Sequence, residues 1–142
     1  MDNNLIENAT YHDNTIHSIE FIDEDYETNL MLEIDYISEW KERNDKYSFE
    51  ISPATLIYKD VSNLEIKISK PGFTQESYLD VILDITTKEI NGNRYKYVIK
   101  LLNDNYMQFE AKGSELIIRG KALLKSEQHL TTSERKKCLT DS

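Results

Sequence analysis

Residues 49–68 read FEISPATLIYKDVSNLEIKI, two apolar alternating runs separated by a polar connection at residues 59–63. Phe49 and Ile51 fall on one face of an extended chain, and Leu64, Ile66 and Ile68 alternate with Glu65, Lys67 and Ser69. A period of two with charges at the off positions marks a strand with one face on a core and the other in water. Pro53 cannot donate to a ladder, so one strand is expected to end there and a second to restart over residues 54–58. Asp60 and Asn63 bracket the connection, where their short side chains bond nearby backbone amides, so Asp60 reads first as a turn former and only second as a catalytic acid.

The same period extends to both sides. Upstream, residues 15–22 form a strand with Ile19 and Phe21 on one face, and residues 23–28 form a charged loop. Residues 29–37 place Leu30, Leu32, Ile34 and Tyr36 on one side and Met31, Glu33, Asp35 and Ile37 on the other. Residues 38–47, SEWKERNDKY, break the alternation and read as a polar connection in which Trp40 caps the end of the core. Downstream, Lys70-Pro71-Gly72 marks a turn. Residues 78–87 are a strand, because β-branched Val81, Ile82, Ile85, Thr86 and Thr87 outweigh the helical spacing of Tyr78, Ile82 and Ile85.

Asn91-Gly92-Asn93 signals a hairpin of the kind that needs positive φ. It leads into residues 94–102, with Tyr95, Tyr97, Ile99 and Leu101 on one face, and then into strands at 106–111 and 115–119. Short strands at this spacing predict a mainly β single domain over residues 1–142. Its antiparallel meander of eight or nine strands would form a sandwich or barrel. Thr131 with Glu134 three residues on is a capping box, so a short C-terminal helix begins there. Residues 1–11 are a lead-in and residues 139–142 are expected to fray.

The run PATLIYKDVSNLEI at residues 53–66, with Trp40 upstream and the pair His12-Asp13 near the start, resembles a family of small uncharacterised bacterial proteins with a Pro-Ala-Thr-Leu, Asp-Val and Leu-x-Ile pattern. The resemblance implies a bacterial cytosolic domain and transfers no catalytic residue.

Charge is unevenly placed. The first 50 residues hold 14 Asp and Glu against three Lys and Arg, and the other 92 hold 12 against 14, so the two parts carry −11 and +2 within the total of −9. An acidic surface repels phosphate backbones and favours cationic partners, which disfavours nucleic acid. No stretch approaches the ~20 apolar residues of a membrane helix, and the first residues, MDNNLIENAT, lack the apolar segment of a signal peptide. Cys138 is the one cysteine and cannot form an internal disulfide; as a free thiol in a mobile tail it fits a reducing, cytoplasmic setting.

Chemical motifs are sparse. Asp23, Asp25 and Glu27 begin like a calcium loop, but Thr28 and Ile34 stand where such a loop needs glycine and a bidentate glutamate. No zinc spacing, nucleophile elbow, phosphate loop or dinucleotide fingerprint is present, so neither metal nor cofactor is expected. The pattern points to a non-enzymatic interaction protein, an inhibitor or immunity-type module that docks a basic protein. Its contact residues would be Asp23, Glu24, Asp25, Glu27, Met31, Glu33, Asp35 and Ile37, with acidic rims speeding encounter and apolar centres holding the complex. The alternative is a small-molecule site or weak enzyme in a barrel mouth, using His12, His17 and either Asp35 or Asp60. A homodimer would pair edges in the nearly neutral C-terminal half, around residues 95–118, with Val98 and Met107 facing the second copy.

Overall fold

The structure, a computed structural model, describes residues 11–69 and 78–140. Among these described residues nine antiparallel strands and one helix follow in order: β1 Thr15–Glu24, β2 Glu27–Arg43, β3 Lys46–Lys59, β4 Ser62–Lys67, β5 Asp80–Asn91, β6 Arg94–Leu101, β7 Tyr106–Ala111, β8 Gly113–Ile118, β9 Leu123–Lys125 and α1 Thr132–Thr140. The mainly β reading therefore holds, as does the capping box: Glu134 N–H donates to Thr131 Oγ1 (3.2 Å) while Thr131 N–H donates to Glu134 Oε1 (2.8 Å). The expected lead-in, apart from Tyr11, and the Lys70-Pro71-Gly72 turn lie outside the described residues.

Two three-stranded meanders, β1-β2-β3 and β5-β6-β7, form the two sides of the molecule, joined along β1 and β5 by the pairs Thr15–Val81 and Ile16–Asp80. At the other side the chain turns the corner twice. β3 runs into β4 across Asp60 and Val61, and β7 runs into β8 across Lys112, while β3 pairs with β8 and β4 with β7. Asp60 sits at φ 53° in that corner, a conformation its short side chain tolerates, and its N–H donates to Asn29 Oδ1 at 3.0 Å, while its carboxylate is held by Arg94 rather than by a neighbouring backbone amide. Beyond Ile16 no strand among the described residues pairs with the β5 side of β1, and exposed Glu20 and Glu24 would oppose pairing there with another chain.

The core fills the space between the meanders. Ile16, Leu30, Leu32, Ile34, Leu56, Ile82, Ile99 and Met107 are fully buried, and each contributes about 1.5–3 kcal/mol of transfer free energy. Tyr58, Tyr97 and Phe109 form an aromatic centre with ring separations of 4.7–5.6 Å. Tyr95 and Tyr97 thus face inward with Ile99 and Leu101, the shared face that the alternation predicts.

Three sequence expectations fail for identifiable reasons. Residues 38–47 are not a polar connection, because β2 continues to Arg43 and β3 returns from Lys46. Asn44 and Asp45, at φ 54° and 62°, make the two-residue turn whose twist suits a hairpin. Pro53 does not break β3 either: it pairs with Asp35 toward β2, and its missing N–H falls in the gap between the segments paired with β8 (54–59) and with β9 (49–51). The hairpin expected at Asn91-Gly92-Asn93 does join β5 to β6, but Gly92 uses no positive φ; Asn91 Oδ1 instead accepts Asn93 N–H at 2.9 Å, an Asx turn.

The edge-pairing premise for a homodimer also changes. β6 and β7 are internal strands, and the hydrogen-bonded path ends at β4 and β8. Met107 is 0% exposed, so a lysine there would disrupt the core and could not report on an interface.

Candidate functional site

The outward face of β1-β2-β3 carries most of the residues singled out from the sequence. Asp35 lies on it with a fully buried side chain, and the chain's own C-terminal segment is what covers it. His17 Nε2 lies 2.6 Å from Asp35 Oδ2, the same oxygen accepts Leu130 N–H at 2.8 Å, and Arg135 Nη1 bonds Asp35 Oδ1. Arg135 also donates to Ile34 O (2.8 Å) and stands 3.8 Å from Glu33 Oε2. Glu33 accepts Thr55 Oγ1–H at 2.7 Å, and Arg119 Nε donates to that hydroxyl at 3.0 Å. Beside this network Ile37, Phe49, Ile51, Leu130 and Cys138 form a second, small core on which α1 rests. Cys138 is therefore 6% exposed inside a helix and is not a thiol in a mobile tail.

A His–Asp pair resembles the base and orienter of a hydrolase; here Asp35 accepts from three donors within the chain, and His17 does not line the clefts at Leu83–Gln108 and Trp40–Gln128. His12 is elsewhere: its Nδ1 donates to Leu83 O at 2.6 Å, and its Nε2 lies 3.4 Å from Asp13 Oδ2. Asp60 is engaged by Arg94 at 2.9 Å, with Lys112 at 3.8 Å. The four residues of the small-molecule alternative are thus divided among three places, and only His17 and Asp35 meet.

The contact set for a basic partner is divided too. Glu33, Asp35 and Ile37 belong to the covered network and small core, and Met31 is half-buried. Glu27 pairs with Lys112, a bond that raises the Lys112 ammonium above its ordinary value. Asp23, Glu24 and Asp25 remain exposed at the β1–β2 tip, where Asp25 and Tyr26 turn the chain at φ 50° and 66°. Phe21, 47% exposed on the same strand face as Asp23, and Tyr26, 110% exposed next to Asp25, adjoin these carboxylates along the chain.

Sequence reasoning missed two things. Arg135 lies 100 positions from Asp35, and the only signal was two carboxylates on a strand face that needed a counter-charge near the capping box. The other is the far end of β2, where Trp40 does not cap the core: it meets Phe49 edge-on at 4.8 Å and stays 50% exposed.

Comparison with protein-family models, with curated proteins and with solved structures found no match to this chain.

Proposed function

We propose that the chain is a non-enzymatic interaction module that docks a basic protein, in the manner of an inhibitor or immunity-type protein, through its acidic first third. The observation that supports this is the β1–β2 tip. Asp23, Glu24 and Asp25 stay in solvent, with exposed Phe21 and Tyr26 next to them along the chain, whereas Glu33 and Asp35 are paired within the chain. Aromatic anchors inside a charged rim are how interfaces combine fast encounter with slow release. The carboxylates steer, so the association rate falls with ionic strength, and the rings are desolvated on contact.

The test is capture on immobilised chain from an extract of its own cell, at low and high salt, beside the double variant Asp23→Lys, Asp25→Lys. A basic protein should be enriched at low salt, released by high salt and lost from the variant. If no basic protein is enriched, or if the variant retains it equally, the proposal fails.

A further inference from the structure

At the opposite end of β2 from the acidic tip, the β2–β3 hairpin builds an aromatic cleft of ≈ 420 Å³ lined by Trp40, Tyr47, Phe49, Ser126, Glu127 and Gln128. The register explains its composition. Trp40 is directly opposite Phe49 and Glu42 opposite Tyr47, so all four side chains share one face of the hairpin. Lys41, Arg43 and Lys46 fall on the reverse face by strand alternation, where Lys41 pairs with Glu50 at 3.4 Å. Across the cleft, β9 places Lys125 opposite Phe49, and this ammonium is spent on Glu134 at 2.5 Å, His129 O at 3.0 Å and Glu127 at 3.4 Å. Glu127 lines the cleft and Glu42 shares the hairpin face of Trp40 and Tyr47, while Lys125 is paired with Glu134, so the charge left beside the two half-exposed rings is negative.

We propose that this cleft binds an arginine side chain presented by a partner peptide or protein. Trp40 and Tyr47, 50% and 55% exposed, offer ring surface that the fold leaves uncovered, and aromatic faces attract cations. The negative excess selects a cation over an anion or a neutral group. Arginine fits better than lysine because its planar, weakly hydrated guanidinium stacks on rings while its fork donates to a carboxylate and to neutral acceptors, here Glu127, Ser126 and Gln128. Ser126 and Lys125 hold the Glu127 carboxyl below the usual carboxylate range, so it remains an acceptor in mildly acid solution. The site is separate from the acidic tip and does not depend on the docking proposed there.

Trp40 is the chain's one tryptophan, so its fluorescence reports on the cleft alone. Titration with a capped tri-arginine peptide at fixed ionic strength should change that emission saturably, with tri-lysine binding more weakly and the isosteric, uncharged tri-citrulline peptide giving no saturable change. Tyr47→Ala and Glu127→Gln should each weaken tri-arginine by about fivefold, the size of one partly exposed cation–π or charged contact. Both positions are exposed, and thermal unfolding should be unaltered in each variant. Reversal of the distant tip (Asp23→Lys, Asp25→Lys) should leave the titration as in the wild type. The proposal is overturned if tri-arginine gives no saturable change, if tri-lysine or tri-citrulline binds as well as tri-arginine, or if either cleft variant binds as the wild type does. Loss of binding on tip reversal overturns it as well, because the response would then follow net charge.

Discussion

Asp35 shows how one residue can look like a site and serve as a fastener. Its side chain is fully buried, and its two oxygens take donors from β1 (His17), from the segment before α1 (Leu130) and from α1 itself (Arg135). A buried ion pair gains little over a well-packed apolar pair, but removing one partner strands the other charge and costs about 3–5 kcal/mol. Asp35→Ala and Arg135→Ala should therefore each lower the stability measured by urea unfolding by about that amount. The double variant should lose far less than the sum, because neither charge is then left alone. Additive losses in that cycle would refute the fastener role. Replacement of His17 by Gln, which keeps a donor on the ring's side of the strand, should cost less than either.

At the scale of elements, α1 depends on few contacts. Among its residues Cys138 is the buried one, and Leu130 precedes it, so apolar burial supplies only a few kcal/mol against about 1–2 kcal/mol per ordered residue. The balance is met by the Arg135 cluster, by the capping box and by close approach at Gly120, where an added Cβ would come within 2.6 Å of the Cys138 carbonyl oxygen. Backbone cannot yield as a flexible side chain does. Gly120→Ala should thus displace the end of α1, and Cys138 should react with a thiol reagent roughly tenfold faster, the effect of about 1.4 kcal/mol on local opening. Unchanged labelling would show that the approach is not limiting. These contacts also mark what a sequence can disclose. The strand alternation in β2, β3 and β6 and the Thr131–Glu134 box are local patterns and were legible. The Asn44-Asp45 turn was present in the sequence as a short-range signal but lay inside a run whose charges concealed its pairing. Pro53 was misread because its tolerance depends on a gap between β8 and β9 that no local pattern contains. The cover over Asp35 joins positions 100 apart, beyond the reach of any periodicity.

Across the whole molecule, the tyrosines of the interior set its response to alkali. Burial raises Tyr58 well above the ordinary phenol value of 10.0 and raises Tyr36 and Tyr97 in the same sense. Tyr11, against Tyr36 at 6.1 Å, is pushed up to about 12 by burial and then by its tyrosine neighbours. Each is a folded-state value above the unfolded one, so between them the native chain binds more protons than the unfolded chain, and stability falls as pH rises. The loss begins near the unfolded value of 10.0 and for Tyr11 continues to about 12, while below that window these groups leave stability independent of pH. Lys112, raised by its bond to Glu27, acts in the same direction from outside the core. Each tyrosine can contribute a slope of up to about 1.4 kcal/mol per pH unit, enough to exhaust a marginal stability of about 5–15 kcal/mol within the window when several act together. Phenolate absorbance during an alkaline titration should therefore show a late group of tyrosines that ionises together with the loss of sheet circular dichroism. Tyr11→Phe should make the fall in urea-measured stability above pH 10 shallower by roughly that single slope, with Lys112 unchanged as the internal control. If all the tyrosines ionise while the sheet signal is intact, the interior does not hold its phenols neutral, and the coupling of core to alkali stability is wrong.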